Sequence, residues 1–170
     1  MTIEKAVRED APALADIFIG HISAHPEYIS HGELQMGVGE GFVLDGAFVT
    51  RPSADAREKW MEYILLHIDT PSLASVFKAV SEDGQILGFT VADIEEDGDA
   101  PFGMVCDILV SEDCRGKGVG GLLLDSAISW LNGMGVKDIY LESGKDNHKA
   151  HHFFEKRGFM HVSQIFKKVL

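Results

Sequence analysis

The stretch VSEDCRGKGVGG, residues 110–121, is the part of the sequence from which the rest of the fold can be placed. It follows an apolar run, residues 104–110, that is typical of a buried strand, and it precedes an amphipathic segment, residues 119–134, that predicts a helix. The first amide groups of a helix have no partner inside the helix, and the helix dipole places partial positive charge beside them. Glycines let such a backbone approach an oxygen-rich ligand closely, and Arg115 and Lys117 add full positive charge. The stretch therefore predicts a phosphate-binding turn.

The spacing of the glycines excludes two common nucleotide-binding motifs. Gly116, Gly118 and Gly120 lack the last interval of the dinucleotide fingerprint G-x-G-x-x-G, and the stretch has no G-x-x-x-x-G-K followed by Ser or Thr. The pattern R-x-x-G-x-G-G from Arg115 to Gly121, which follows a strand that ends in valine, instead resembles the acyl-CoA pyrophosphate loop of the GNAT N-acetyltransferase superfamily.

A second segment, NHKAHHFFEKRGF at residues 147–159, is similar to the N-x-x-A…F-Y-E-K-x-G-F segment of the same family. The two motifs together cover about residues 104–160 in the family's order, and the pair is far more specific than a glycine-rich turn alone. The resemblance implies an α/β fold with a GNAT-like mixed central β-sheet flanked by helices, and it implies acetyl-CoA as cosubstrate.

The patterns along the chain predict the element order β-α-α-β-β-β-α-β-α-β, which is also the order expected of the resembled family. The predicted strands cover residues 3–8, 73–80, 85–94, 102–110, 137–142 and 159–169, and the predicted helices cover 11–25, 54–67, 119–134 and 147–158. Residues 95–100 predict a polar turn. Residues 26–53 predict an irregular loop with a short extended piece at 41–49, which is either an acceptor-recognition loop or only an irregular connection.

Length and composition favour one globular domain over residues 1–170, with 45% hydrophobic residues to form its core. No apolar run approaches the ~20 residues that a membrane helix needs. The first ten residues have neither the basic region nor the apolar core of a signal peptide, so a cytoplasmic location is expected. Two cysteines, Cys106 and Cys114, do not suggest a disulfide framework and are expected to be reduced.

The net charge of −12 disfavours a nucleic-acid partner or an anionic membrane surface. It would attract a cationic small molecule such as a polyamine, an amino sugar or a lysine-like amine, although it is equally explained by solubility. The expected partner is therefore a small-molecule amine, and the resemblance also implies a possible homodimer through the last strand.

The resemblance assigns cofactor-binding roles to the turn and to the strand before it. Backbone amides of residues 116–121 would hold the pyrophosphate, and Arg115 would brace the turn or contact a phosphate. The strand edge at residues 108–110 would pair with the pantetheine amides and direct one amide at the thioester oxygen. Asn147 would orient the cofactor arm, or it would serve only as a helix N-cap. The predicted cofactor-binding residues are Ile108, Leu109, Val110, Arg115, Gly116, Lys117, Gly118, Val119, Gly120, Gly121, Asn147 and Phe154.

Asp107 is the only charged residue in the predicted strand 102–110. A carboxylate there must be exposed at a cleft, paired with another group, or raised in pKa by burial. An alkyl amine has a pKa near ~10.4 and is mostly protonated at neutral pH, so a general base is useful for acetyl transfer. Asp107 is thus either the base or one member of a structural pair.

Phe154 stands where the resembled family has a tyrosine whose hydroxyl protonates the departing sulfur. Phenylalanine cannot donate a proton, so water, Ser143, His148 or Tyr140 would have to substitute, or the thiolate would leave unaided.

Three histidines in the second motif, His148, His151 and His152, have a spacing that a metal pair can use. A position on the solvent-facing side of the helix explains these polar residues more simply, and no metal is predicted. The predicted function is transfer of an acetyl group from acetyl-CoA to a primary amine of a small cationic metabolite or amino sugar. The alternatives are a non-catalytic acyl-CoA-sensing domain, which Phe154 suggests, and an acetyltransferase that acts on protein N-termini or lysines.

Overall fold

The structure is a computed structural model that describes residues 1–96 and 100–168. In chain order the elements are β1 (Thr2–Lys5), α1 (Ala11–Ala24), α2 (His31–Gln35), β2 (Gly39–Leu44), β3 (Ala47–Pro52), α3 (Ala56–Asp69), β4 (Ala74–Val80), β5 (Ile86–Glu95), β6 (Phe102–Val110), α4 (Val119–Gly133), β7 (Ile139–Leu141) and α5 (His148–Glu155). The predicted turn at residues 95–100 lies partly outside the described residues. Within the described residues, no helix combines the length and the apolar character needed to cross a bilayer.

Five strands form one sheet in the order β1-β4-β5-β6-β7, while β2 and β3 form a separate hairpin. Neighbours in the sheet are antiparallel except for β6 and β7, which are parallel. The mixed sheet flanked by helices confirms the predicted fold class.

Helices cover both faces of the sheet because each face presents alternate apolar side chains. On one face, Phe18 of α1 stacks on Trp60 of α3 at 4.7 Å between ring centroids, and Trp60 meets Phe89 of β5 edge to face. On the other face, Leu124 and Leu131 of α4 are fully buried. The sheet thus separates two apolar cores, one packed on each face of β5 and β6.

β6 contains a β-bulge at Cys106. Val91 of β5 pairs with Asp107, whereas its neighbour Ala92 pairs with Val105, so Cys106 is left without a partner in the ladder. A bulge interrupts the alternation of a strand and redirects the side chains that follow it. The bulge therefore determines where the side chain of Asp107 lies.

Two sequence-based expectations were wrong. Residues 26–53 are not mainly irregular, because they contain α2 and the β2–β3 hairpin. The hairpin turns at Asp45 and Gly46, which have φ angles of 49° and 79°. These left-handed values are typical of a two-residue Asp-Gly hairpin turn.

The predicted last strand, 159–169, is absent over residues 159–168, and residue 169 lies outside the described residues. A strand forms only where a neighbour accepts its hydrogen bonds, and the three-residue β7 offers little edge to pair with. Met160 and Phe166 are instead 82% and 88% exposed, and the ammonium of Lys167 lies over the Phe48 ring of β3.

Candidate active site

The turn between β6 and α4 has the backbone geometry of an anion-binding site. Gly116 and Gly118 have φ angles of 74° and 84°, a left-handed conformation that glycine adopts without strain. Gly118 is the N-cap residue of α4, and a β-carbon at either glycine would face open space. Backbone atoms of the turn can therefore approach a ligand without obstruction from a side chain.

The amide groups at the start of α4 precede the hydrogen-bond ladder of the helix. The amide of Leu122 donates to the carbonyl of Gly118 at 3.2 Å, so the amides of Val119, Gly120 and Gly121 have no acceptor within the helix. Such groups at a helix N-terminus suit a phosphate. The turn therefore has the backbone geometry of an anion-binding helix N-terminus.

Arg115 lies against the turn and against α1. Its Nε donates to the carbonyl of Val110 at 3.2 Å, and a terminal nitrogen donates to Nδ1 of His21 at 3.1 Å. Burial and the charge of Arg115 lower the pKa of His21 to about 4, so the imidazole is neutral and can accept this bond. Two roles were expected of Arg115, support of the turn and contact with a phosphate. These contacts correspond to support of the turn.

A cleft opens where β6 and β7 separate. The two strands pair only from Gly103–Val105 of β6 to β7, after which residues 106–110 of β6 have no neighbour on that side among the described strands. α1 and α2 form one wall of the cleft, and residues 141–144 with α5 form the other. The cleft brings together Asp107, Ile108, Leu109, Asn147 and Phe154, which the sequence predicted as site residues, and the turn 115–121 continues from the same end of β6.

The charged side chains that line the cleft are acidic. Glu33 of α2, Asp107 of β6 and Glu142 beyond β7 contribute carboxylates, and no lysine or arginine of the described residues lines the cleft. A cleft whose charges share one sign concentrates ligands of the opposite charge. The site therefore favours a cationic ligand over an anionic one.

Asp107 is held by one hydrogen bond from outside the cleft. The hydroxyl of Tyr63 in α3 donates to Oδ2 of Asp107 at 2.8 Å. Burial raises the pKa of Asp107 to about 7, and the charge of Glu33 acts in the same direction, against the hydrogen bond from Tyr63. Asp107 is thus a carboxylate at a cleft with a pKa suited to accepting a proton near neutral pH.

Polar groups of three further residues lie beside Asp107. His67, Asp93 and Cys106 have an imidazole nitrogen, a carboxylate oxygen and a sulfur within 4.8 Å of one another. Burial and the nearby carboxylates of Asp93 and Asp107 raise the pKa of the Cys106 thiol far above its usual range, so it is protonated. Because metal ions bind the thiolate rather than the thiol, we interpret the cluster as an ion pair of His67 and Asp93 beside a neutral thiol.

One end of the cleft is bridged by α2. Glu142 accepts a hydrogen bond from the amide of Gly32 at 3.2 Å and lies 3.4 Å from Nδ1 of His31. The first turn of α2 is closed by a capping box in which Glu33 accepts from the amide of Ser30 at 2.7 Å. α2 is therefore tied to the opposite wall of the cleft through Glu142, while Glu33 stabilises its own first turn.

Asn147, on the opposite wall, can cap a helix and also bind a ligand. Its Oδ1 accepts from the amide of Ala150 at 3.3 Å and caps α5, which leaves the amide nitrogen of the side chain for a ligand. Phe154 is 7% exposed and lines the same wall. Of the three side chains considered as substitutes for its missing hydroxyl, Ser143 lines the cleft, whereas Tyr140 and His148 do not.

Tyr63, Glu33 and Glu142 were not predicted from the sequence. The Ser30-x-x-Glu33 pattern is a readable capping box, and it would have predicted the start of α2. No local pattern connects Tyr63 with Asp107, because they lie 44 residues apart and meet only through the packing of α3 on the sheet.

Comparison with known proteins identifies a family match and several similar folds. Residues 42–159 match the acetyltransferase (GNAT) family. A mycothiol acetyltransferase from Propionibacterium freudenreichii is 35% identical over 92 residues, which are 53% of this chain and 29% of that protein. This chain covers less than half the length of the curated relatives that it matches.

Two solved structures share the fold over nearly the whole chain. A mutant of the BH1408 protein from Bacillus halodurans has a TM-score of 0.74 at 19% identity and covers 100% of this chain and 99% of its own. A predicted acetyltransferase with acetyl-CoA from Clostridium acetobutylicum has a TM-score of 0.72 at 14% identity and covers 99% and 95%. At these identities the likeness establishes the fold.

Proposed function

Because the chain belongs to the acetyltransferase (GNAT) family, we propose that it transfers the acetyl group of acetyl-CoA to the primary amine of a small cationic molecule, such as a polyamine or an amino sugar. The observation that carries the choice of acceptor is the cleft itself. Its charged lining consists of Glu33, Asp107 and Glu142, which attract an ammonium group.

The turn and the open edge of β6 are suited to acetyl-CoA, which supplies the acetyl group as a thioester. The amides of residues 119–121 would bind the pyrophosphate, with Lys117 beside them and Arg115 as a brace. The free edge of residues 108–110 would pair with the pantetheine amides, and the side-chain amide nitrogen of Asn147 would donate to the same arm from the opposite wall.

Asp107 would act as the general base. Glu33 and Glu142 would hold the acceptor beside it as an ammonium, which must lose a proton before its nitrogen can attack, and Asp107 would accept that proton. The neutral amine would then bond to the acetyl carbon, and its second proton would pass to the departing thiolate as the C–S bond breaks. An amide on the edge of residues 108–110 would donate to the carbonyl oxygen as it gains charge. With a pKa of about 7, a large share of Asp107 is ionised at neutral pH and ready to accept this proton.

The bond to sulfur would break without a tyrosine. A thiol with a pKa near ~8.5 can leave as the thiolate with modest help, and the hydroxyl of Ser143 is one protein group on that wall that can donate to it. Phe154 would then contribute an apolar surface beside the thioester. Phe154 is thus compatible with an active enzyme, and turnover is what distinguishes the proposal from the alternative of a non-catalytic acyl-CoA sensor.

A protein acceptor is the less favoured alternative. An extended polypeptide needs an open groove, and α2 bridges the acceptor end of this cleft through Gly32, His31 and Glu142.

The experiment that tests the proposal follows the release of CoA thiol with a panel of amines. Spermidine, a lysine-like diamine, an amino sugar, a neutral amine and a lysine peptide would be compared at equal concentration. We expect saturable turnover with one of the cationic small molecules and little with the neutral amine or the peptide. Binding of acetyl-CoA without turnover on any amine would favour the sensor, and turnover on the peptide alone would favour a protein acceptor.

A further inference from the structure

We infer that Tyr63 is a positioning residue for Asp107: its hydroxyl binds Oδ2 and so leaves Oδ1 as the atom that accepts the proton of the substrate. The inference rests on the proposed function, because it assigns a role within the same site. Tyr63 does not line the cleft, so it acts on the reaction only through Asp107.

Two features of the fold bring these residues together. The bulge at Cys106 shifts the register of β6, so that Asp107 rather than its neighbour pairs with Val91. α3 packs on the same face of the sheet, with Trp60 buried against Phe89, and this places Tyr63 one turn further along the helix beside Asp107. Both partners therefore belong to packed regular elements rather than to loops.

His67 restrains Tyr63 from the next turn of α3. Their rings lie 4.2 Å apart, and Nδ1 of His67 donates to the carbonyl of Tyr63 at 2.8 Å. Nε2 of His67 faces Oδ2 of Asp93 at 3.4 Å. Because both ring nitrogens face acceptors, these contacts favour the protonated imidazole, which places positive charge next to the Tyr63–Asp107 pair.

Positive charge on His67 lowers the pKa of Asp107 and so acts against the nearby carboxylates, which raise it. Burial lowers the pKa of His67, but its bonds to Asp93 and to the Tyr63 carbonyl outweigh burial and raise it. The groups that face Asp107 from the packed elements are Glu33 of α2, Tyr63 and His67 of α3, Asp93 of β5 and Cys106 of β6. Glu33 and Asp93 raise the pKa of Asp107, while Tyr63 and His67 lower it.

Removal of the hydroxyl in Tyr63→Phe should therefore raise the pKa of Asp107 by about one unit, since a hydrogen bond to a charged group is lost. The acid limb of kcat/KM should move to higher pH by the same amount. At a pH where Asp107 is fully ionised, kcat should still fall by about tenfold, because the carboxylate is less well oriented, while KM for the amine stays nearly constant. A merely structural role would lower stability without moving the pH profile.

Tyr140→Phe is the matched control, because Tyr140 lies on β7 against Phe102 and outside the cleft. His67→Gln removes the nearby cation but keeps the hydroxyl of Tyr63. Like Tyr63→Phe, His67→Gln should raise the pKa of Asp107.

The closing experiment measures the pKa of Asp107 directly, so that it does not depend on activity. The carboxyl ¹³C resonance of Asp107, assigned with Asp107→Asn, would be titrated in the unaltered protein, Tyr63→Phe and Tyr140→Phe. We expect an upward shift in Tyr63→Phe alone; an unchanged pKa in that variant would overturn the inference. Failure of the proposed function would appear separately, as absence of turnover on every amine in the unaltered chain.

A second measurement covers the case in which Tyr63→Phe does not fold. The chain has three tyrosines, so fluorotyrosine incorporation gives three ¹⁹F resonances in the unaltered sequence. The resonance of Tyr63 should shift as Asp107 titrates, while that of Tyr140 should not. A Tyr63 resonance that is independent of pH across this range would overturn the inference.

Discussion

The guanidinium of Arg157 occupies the space that a side chain at position 121 would need, so Gly121 is the residue at which the end of α5 closes against the start of α4. The same guanidinium lies over the ring of Phe153, 4.3 Å from its centroid. This contact joins the two sequence motifs in the folded chain. The second motif packs on the helix whose N-terminus forms the turn, and it holds that helix in place.

Gly121→Ala should stabilise the chain less than the same change at an open position of the helix, because its β-carbon would meet Nη2 of the exposed Arg157 and displace the guanidinium from Phe153. We expect the loss of this cation–π contact, worth about 0.5–1 kcal/mol, to offset the gain in helix propensity, so that the free energy of unfolding measured by urea denaturation changes little. Gly133→Ala in the same helix is the control. A β-carbon there meets nothing within 4 Å, so this change should stabilise by about 0.5 kcal/mol. Equal stability of the two variants would contradict the packing role of Gly121.

Asp107→Asn should lower kcat/KM for the amine by about 10²-fold or more at neutral pH, because a general base is lost. In the unaltered chain kcat/KM should rise as the pH increases through about 7, where Asp107 loses its proton. Steady-state kinetics from acid to alkaline pH would measure both effects. The exposed Asp125→Asn has the same change in charge and should leave the profile intact. A variant at Asp107 with unaltered kinetics would remove it as the base.

Glu142→Gln should raise KM for a cationic amine by about threefold to tenfold, because the cleft loses one carboxylate and the tie to α2 is weakened. The effect should shrink at high salt, which screens charge. Glu82→Gln, in the exposed turn before β5, changes the net charge equally at a distance from the cleft. If both variants raised KM alike, the overall charge of the protein rather than the cleft would select the acceptor.

His21 makes stability depend on pH with a definite sign. Burial and Arg115 lower its pKa to about 4 in the folded chain, so the unfolded chain binds the proton more tightly. The contribution of neutral His21 to stability should therefore be fully present above the unfolded pKa of about 6.5. It should be lost progressively as the pH falls toward 4.

His21→Gln should reduce the part of this loss that lies between those two values, as measured by the urea midpoint at acid and neutral pH. His161→Gln, in the exposed segment after α5, should leave the pH dependence unchanged. An identical acid loss in the unaltered chain and in His21→Gln would show that other groups cause it.

The parts of the fold that could be predicted are those specified by local patterns. β6 was predicted over Phe102–Val110, as observed, because an apolar run with one charge ends there at a glycine-rich turn. The β2–β3 hairpin was missed although Asp45-Gly46 is a readable turn signal, since its glycines were interpreted as features of a loop. The last strand was predicted from its residue types alone, which do not reveal whether a partner strand exists.

The same distinction applies to the site. The turn and Asp107 could be predicted because a helix N-terminus after a strand, and a lone charge within an apolar strand, are visible in consecutive residues. Tyr63, Glu33 and Glu142 could not, because each lies on a different element, and its place at the cleft or against Asp107 depends on tertiary packing.

The most direct test of the account is a calorimetric titration of the chain with acetyl-CoA, because the assignment of every other residue depends on the phosphate-binding turn. Gly118→Ala would be compared with Gly135→Ala; the two glycines have φ angles of 84° and 86°, and a β-carbon at either would meet no other atom within 4 Å. Both variants should lose about 1 kcal/mol of stability through backbone strain. We predict that the unaltered chain and Gly135→Ala bind acetyl-CoA alike, while Gly118→Ala binds at least about tenfold more weakly. Equal binding by all three proteins, or no binding to the unaltered chain, would contradict the account.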